Sequence, residues 1–458
     1  MKNLLIRGGR LATASDVFEA DLLARDGRIA AIGTGLNREG AEEIDARGLL
    51  VLPGGIDTHV HLAHPIDRLG IETADDFDSG TRAAAFGGTT TIVDFALQRK
   101  GESILEVARR RRDLAAPDAR VDFGLHIIVT DVRDDVIAEI PQAIAEGFTS
   151  FKVYLTYSDK YVDDGGLIRV LEATKRHGGI AYVHCENHFA AQHLIGRALE
   201  SGRHEAHHHA STRPPLVEAE AVNRAISLAR LMDAPIAIAH VTSREALRVL
   251  EEARHEGARA WGETCPQYLT LTSGVYDPGP EVSKYVCTPP IRGVEHQQSL
   301  WEGLRRGGLS WVSSDHAPFV FETQKQGASD FTKVPNGVPG IETRLALLYS
   351  EGVAASRISL ERFVDLTATQ PAKIFGLYPG KGSLSIGADA DIVLFDPART
   401  VTISHTNLHH RVDYTPYEGR QVTGWPVTTI LRGEVLVRDG VLREDASRGR
   451  FLSRSAGL

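Results

Sequence analysis

From Leu52 to Asp315 the chain repeats one pattern: a short, nearly continuous apolar run, then an amphipathic stretch of helical length. The runs are Gly54–Leu62, Thr89–Phe95, Val121–Thr130, Thr149–Tyr157, Ile180–Glu186, Pro235–Thr242, Ala258–Cys265 and Leu309–Asp315. Between them, Asp75–Phe86, Ser103–Ala115, Val136–Glu146, Leu167–His177, Val217–Met232 and Ser243–Glu256 carry apolar residues at helical spacing. Strands that are apolar on both faces and joined by helices belong in a parallel sheet covered on both sides. Eight such units predict a closed (β/α)8 TIM barrel. The open doubly wound alternative places a glycine-rich phosphate turn after its first strand, where this chain has Asp57-Thr-His-Val-His61.

Both ends of the chain read differently. Asn3–Ile6, Leu22–Arg25, Arg28–Ile32 and Glu43–Asp45 are short strand-like segments, and Asp26-Gly27 is a hairpin signal. The same texture returns near residue 377, with Ile392–Phe395, Thr428–Arg432 and Glu434–Arg438. Chain ends often lie close together. The expectation is therefore one small β-sandwich built from residues 1–52 and 377–458, flanking a barrel of residues 53–376.

Composition narrows the function. With 51 Lys and Arg against 60 Asp and Glu, the formal charge is −9, which argues against a protein held to nucleic acid by phosphate contacts. Hydrophobic residues at 42% and charged residues at 24% exclude a disordered or collagen-like chain. No apolar run approaches the roughly 20 residues needed to cross a bilayer, and Met1–Gly9 lacks a leader's apolar core. Cys185, Cys265 and Cys287 form no paired motif and are expected as free thiols in a reducing cytoplasm.

Candidate chemistry collects at the ends of the apolar runs. His59 and His61 are two apart, so on a strand both point to one face. Three more runs end in ligand-type residues: His184, His240 and Asp315. Barrel enzymes place their active sites at such strand ends, and His and carboxylate ligands suit zinc or a neighbouring divalent metal. Lys152 lies inside the apolar run Thr149–Leu155. Burial there lowers a lysine's pKa and favours the neutral amine, which can take up carbon dioxide and become a carbamate. The alternative is a lysine paired to a neighbouring acid.

Several motifs carry a family resemblance: Pro53-Gly-Gly-Ile-Asp-Thr-His-Val-His61, Phe86-Gly-Gly-Thr-Thr-Thr-Ile-Val-Asp94, Ser150-Phe-Lys-Val-Tyr154, Val183-His-Cys-Glu-Asn187, Ser314-Asp-His-Ala-Pro-Phe319 and Lys333-Val-Pro-Asn-Gly337. Together with Val412–Gly419 and Gly424-Trp-Pro426, they resemble the dihydropyrimidinase and D-hydantoinase branch of the amidohydrolase superfamily over nearly the whole chain. The resemblance implies two divalent metal ions per subunit, zinc being the expected metal. His59, His61, Lys152 and Asp315 would bind one, and Lys152, His184 and His240 the other, with Lys152 carboxylated by carbon dioxide and bridging them. It implies that a hydroxide held by the metals opens a dihydropyrimidine or 5-substituted hydantoin ring to an N-carbamoyl amino acid. Asp315 would move the proton, and Tyr157 would stabilise the oxyanion. Thr288 and Asn336 match positions that grip the cyclic amide, and Ile66, Tyr154 and Tyr161 match positions lining the substituent pocket. A homotetramer or homodimer is expected, with a small cyclic ureide as the only other partner.

Relatives of other specificity fit less well. Dihydroorotase-like enzymes carry Arg, and allantoinase-like enzymes Asn, at the position held here by Ala63. Non-catalytic scaffold relatives have lost metal ligands, whereas all six positions are filled here. His64-Pro-Ile-Asp-Arg-Leu-Gly70 departs from the family's apolar stretch, so Asp67 and Arg68 either face solvent or shape the pocket. His126 reads as a hydrogen-bonded core residue, and Asp94 has no matching role. His316 either orients Asp315 or packs beneath it, and His207–His209 reads as an exposed loop without a metal role.

Overall fold

A computed structural model of the chain describes residues 3–38 and 40–457. Met1 and Lys2, in the segment without a leader-like core, lie outside the described residues, as do Glu39 and Leu458. Eight parallel strands follow one another around a barrel: Gly55–Val60, Thr89–Leu97, Asp122–Ile128, Ser150–Tyr154, Ile180–His184, Ile236–Ile238, Ala260–Thr264 and Trp311–Val312. Each pairs with the next in sequence. The ring is completed between first and last, where His61 N donates to His316 O at 2.8 Å and His316 N donates to His59 O at 3.2 Å. Nearly every strand residue is buried, which is why the runs are apolar without alternation.

Helices cover the outside, including Phe77–Phe86, Ile104–Ala115, Asp134–Ala145, Asp164–His177, Pro215–Leu231 and Arg244–His255. Their starts are set by caps: Ser103, Asp163 and Ser243 side chains accept from the backbone N–H of Glu106, Gly166 and Ala246. Two further helices, His188–Glu200 and Val294–Arg306, complete the layer after strands five and seven. The sixth and eighth strands are shorter than their apolar runs. Their backbone leaves the sheet to turn through left-handed conformations at His240 (φ 32°) and Asp315 (φ 50°).

The two ends of the chain do combine. Leu4–Ala12, Val17–Arg25, Arg28–Gly33, Glu42–Asp45 and Leu50–Pro53 join Ile392–Thr402, Gln421–Leu431, Glu434–Arg438 and Val441–Leu442 in one nine-stranded sheet. The seam is the antiparallel pairing of Leu50–Pro53 with residues 392–395. Its core draws on both ends, with Ile6, Leu22 and Val51 beside Ile392, Leu394 and Ile430. Asp26 (φ 49°) and Gly27 (φ 79°) make the expected tight hairpin turn. Lys381 ties this layer to the barrel: its Nζ lies 2.6 Å from Asp122, at the start of the third strand, and 2.6 Å from Asp391.

Beyond the sheet, the last residues return to the barrel. Leu452 N donates to Phe123 O at 2.7 Å, and Arg454 Nη1 donates to Ser150 Oγ at 2.9 Å. This tail covers the end where the strands begin and leaves the opposite end free for a site.

Candidate active site

At the end where the strands finish, the expected ligands converge. Candidate ligand atoms of His59, His240 and Asp315 all lie within 4.8 Å of one another. Asp315 Oδ1 is 3.2 Å from His59 Nε2 and 3.4 Å from His61 Nε2. The rings of His184 and His240 meet edge to face at 4.4 Å, and those of His59 and His240 stack at 5.4 Å. Burial drives all four imidazoles toward the neutral form, His61 to about 3 and His59 and His240 well below their ordinary value. Neutral imidazole is the form that binds a metal.

Two carboxylates orient these rings. Glu263, in the seventh strand, is fully buried and accepts from four donors: His59 Nδ1 at 2.9 Å, Tyr182 OH at 2.6 Å, His240 N at 2.9 Å and Trp311 Nε1 at 3.2 Å. With its Nδ1 hydrogen committed there, His59 presents Nε2 to the site. Glu186 accepts from His184 Nε2 at 2.7 Å, leaving Nδ1 as the free ligand atom, and pairs with Arg213 at 2.9 Å. Sequence reasoning missed both acids and Arg213. Glu263 had a legible signal, an acid within the apolar run Ala258–Cys265.

Lys152 is the contrast. It is fully buried, and among the described residues its Nζ has no hydrogen-bond partner. The amine lies 4.0 Å from the Tyr182 ring centroid and 5.4 Å from that of Phe95. Burial pulls its pKa from 10.5 to about 8, against the opposing influence of Glu263 and Asp315. Burial likewise pushes the Asp315 carboxyl up. An orphaned amine that is easily made neutral, four neutral imidazoles and one carboxylate form a donor set suited to divalent metal.

A cleft opens above this floor. Tyr154, Tyr157, Ile66, Thr288 and Asn336 line it; Tyr161 is not among the lining residues and instead packs on His188 at 4.7 Å and Phe189 at 5.7 Å. Tyr157 is held at φ 66°, a conformation that costs a non-glycine residue of order 1 kcal/mol. Burial raises its hydroxyl to about 12, so it remains a proton donor at neutral pH. Thr288 and Asn336 come from separate segments that Lys325 clamps: its Nζ donates to Val286 O at 3.2 Å and Gly337 O at 2.6 Å. Gly337 is required there, because a Cβ would meet Ala317 Cβ at 2.5 Å.

The other marked residues have structural places. His126 is a hydrogen-bonded core residue, bound to Ser150 Oγ and Thr58 O. His316 turns away from Asp315 to meet Asp75 at 3.1 Å. Asp94 accepts from Leu62 N and pairs with Arg111, fixing the chain after the first strand. The expected exposed run is corrected at His209, which is buried with its Nε2 2.9 Å from Cys287 O. His207 and His208 are half-buried beside Glu205, their candidate ligand atoms within 4.8 Å of one another. Asp67 is exposed and paired to Arg99, whereas Arg68 lines the cleft. All three cysteines are buried free thiols. Among the described residues, no helix is long and apolar enough to cross a membrane.

Comparison with known proteins identifies the family. Residues 50–436 match the amidohydrolase family model. The chain is 46% identical over 455 residues to a D-hydantoinase of Geobacillus stearothermophilus, covering 98% of this chain and 96% of the relative. It is 43% identical over 459 residues to a D-hydantoinase of Streptomyces coelicolor, covering 98% of each. The crystal structure of a dihydropyrimidinase from Brevibacillus agri superposes with a TM-score of 0.97 at 44% identity, covering 100% of this chain and 99% of that one. The chain therefore belongs to the amidohydrolase family, in its hydantoinase and dihydropyrimidinase branch.

Proposed function

We propose that the protein hydrolyses the ring amide of 5-substituted hydantoins or dihydropyrimidines, giving N-carbamoyl amino acids. The observation that carries this is the convergence of His59, His61, His184, His240 and Asp315 on the unpartnered amine of Lys152. In this reading Lys152 Nζ adds to carbon dioxide and releases a proton, becoming a carbamate. His59, His61, Lys152 and Asp315 would hold one divalent ion, and Lys152, His184 and His240 a second; zinc is the metal proposed. The chemistry such a pair of ions would supply there is polarisation of the ring carbonyl and a lowered pKa for water.

The chain's own groups do the rest. Thr288 and Asn336 fix the cyclic amide through the clamped backbone around them. Ile66 and Tyr154 contact the ring substituent, and Tyr161 supports that wall from behind. Tyr157, protonated and aimed into the cleft, donates to the oxygen on which negative charge develops. The Asp315 carboxylate accepts a proton from the attacking water and delivers it to the ring nitrogen as the C–N bond breaks. We place the enzyme in the cytoplasm as a homotetramer or homodimer.

Turnover of dihydrouracil and 5-substituted hydantoins, followed by N-carbamoyl product and with metal content measured on the same sample, tests the reading. Ring opening that depends on two ions per chain is expected. Fully loaded protein that opens none of these rings, or a Lys152→Ala variant that keeps both ions and full turnover, overturns it.

A further inference from the structure

The outer half of the cleft holds charge that ring opening does not use. Lys160 lines it with its Nζ 5.6 Å from the Tyr154 ring centroid and 5.9 Å from that of Tyr157. Among the described residues, no hydrogen bond or ion pair engages that Nζ. Arg68 lines the same space and is steadied by Thr332 O, which accepts from its Nη1 at 2.7 Å. The acid beside it, Asp67, is turned away: Arg99 binds both its oxygens, at 2.7 and 2.9 Å. Asp159 is the one other carboxylate lining the cleft besides Asp315. The outer cleft thus carries two cations and one anion. Burial, joined by the charge of Arg68, disfavours the charged form of Lys160 more than Asp159 and Asp67 favour it, and an anion seated between Lys160 and Arg68 would relieve that cost.

We propose that Lys160 and Arg68 form an anion subsite, and that the preferred substrate is a cyclic ureide bearing a carboxylate on a short alkyl arm. The arm's methylenes lie along Ile66 and Tyr154, and its carboxylate accepts from Lys160 Nζ and the Arg68 guanidinium. This rests on the ring-opening reading, since Tyr154 and Tyr157 place the amine beside the ring that reacts.

The test compares 5-(carboxymethyl)- and 5-(carboxyethyl)hydantoin with their carboxamide isosteres on the metal-loaded enzyme. The pairs differ in charge and hardly in shape. We expect kcat/KM for the acids to exceed that for the amides by about tenfold or more at low salt, the scale of one charge-assisted hydrogen bond. The ratio should fall toward one in Lys160→Met, recover in Lys160→Arg and drop severalfold in Arg68→Gln. Rising salt should erode the Arg68 share, because that side chain is exposed. Acids no better than amides in the unaltered enzyme, or a ratio unmoved by both Lys160→Met and Arg68→Gln, overturns the subsite. If Lys160→Met does not fold, the wild-type ratio and its salt dependence still decide. Should no ring be opened, the ring-opening reading fails separately, and calorimetric binding of the same acid and amide pair decides the subsite.

Discussion

Exchanging Lys152 for methionine should make the metal-free protein more stable while abolishing its capacity for two metal ions. The side chain is wholly buried and its amine has no hydrogen-bond partner among the described residues. A pKa drawn from 10.5 down to about 8 by burial corresponds to about 3 kcal/mol against the charged form. The sign follows from linkage. Below about pH 8 the amine is charged in both the folded and the unfolded chain, and the folded state carries the whole penalty. Between about 8 and 10.5 the folded state gives up its proton first, so stability rises with pH. Methionine occupies similar space without the charge, and replacing a poorly compensated buried ion by an apolar side chain is stabilising. For 458 residues the unfolding entropy is about 1 kcal/mol/K, so the chelator-treated variant should melt about 3 °C higher at pH 7. That gap should close as the pH approaches 10.5. Scanning calorimetry at pH 7, 9 and 10.5, with metal analysis of reloaded samples, is the assay. A metal-free variant that melts lower at pH 7, a gap that does not change with pH, or two ions retained per chain would refute the reasoning.

Three further outcomes follow from the same contacts. Tyr157→Phe should lower kcat about 10²- to 10³-fold with metal content unchanged, measured by steady-state kinetics on fully loaded enzyme. Glu186→Gln weakens the acceptor that fixes His184 Nε2 at 2.7 Å and should cost about 10- to 100-fold in metal affinity, read by titration against a competing chelator. Lys381→Met leaves buried Asp391 without its cation and Asp122 with Arg432 alone; unfolding should become easier by about 3–5 kcal/mol, seen in denaturant melts, with both metal ions still bound.

The barrel is legible in the sequence because its strands are buried on both faces, so their apolar runs stand out from the amphipathic helices between them. The same logic explains where strand limits fail. Pro235–Thr242 and Leu309–Asp315 extend past the last ladder pairing, and the residues after it, though partly polar, are still largely buried. There the left-handed turns at His240 and Asp315 end the strands, and a turn of that kind leaves no mark in an apolar pattern. His188–Glu200 is hard to read as a packed helix because only Ala191 and Ala198 of it are buried. The tail's return to the first ends of the strands is carried by Arg454, a charged residue that hydropathy assigns to the surface.

At the site, the rule that singled out Lys152 applies equally to Glu263: a charge inside an apolar strand demands an explanation. The two explanations are opposite. Glu263 is saturated, with four donors aimed at its two oxygens, so its charge is compensated within the fold and its work is to orient His59 and His240. Lys152 has aromatic faces around it and, among the described residues, no hydrogen-bond acceptor. The nearby charges of Glu263 and Asp315 offset only part of the cost of burying that amine, so the rest of its compensation has to come from something bound. Sequence shows both charges but not which of them is partnered, because the partners come from strands distant in the chain. That distinction separates a residue that builds the site from one that a ligand completes.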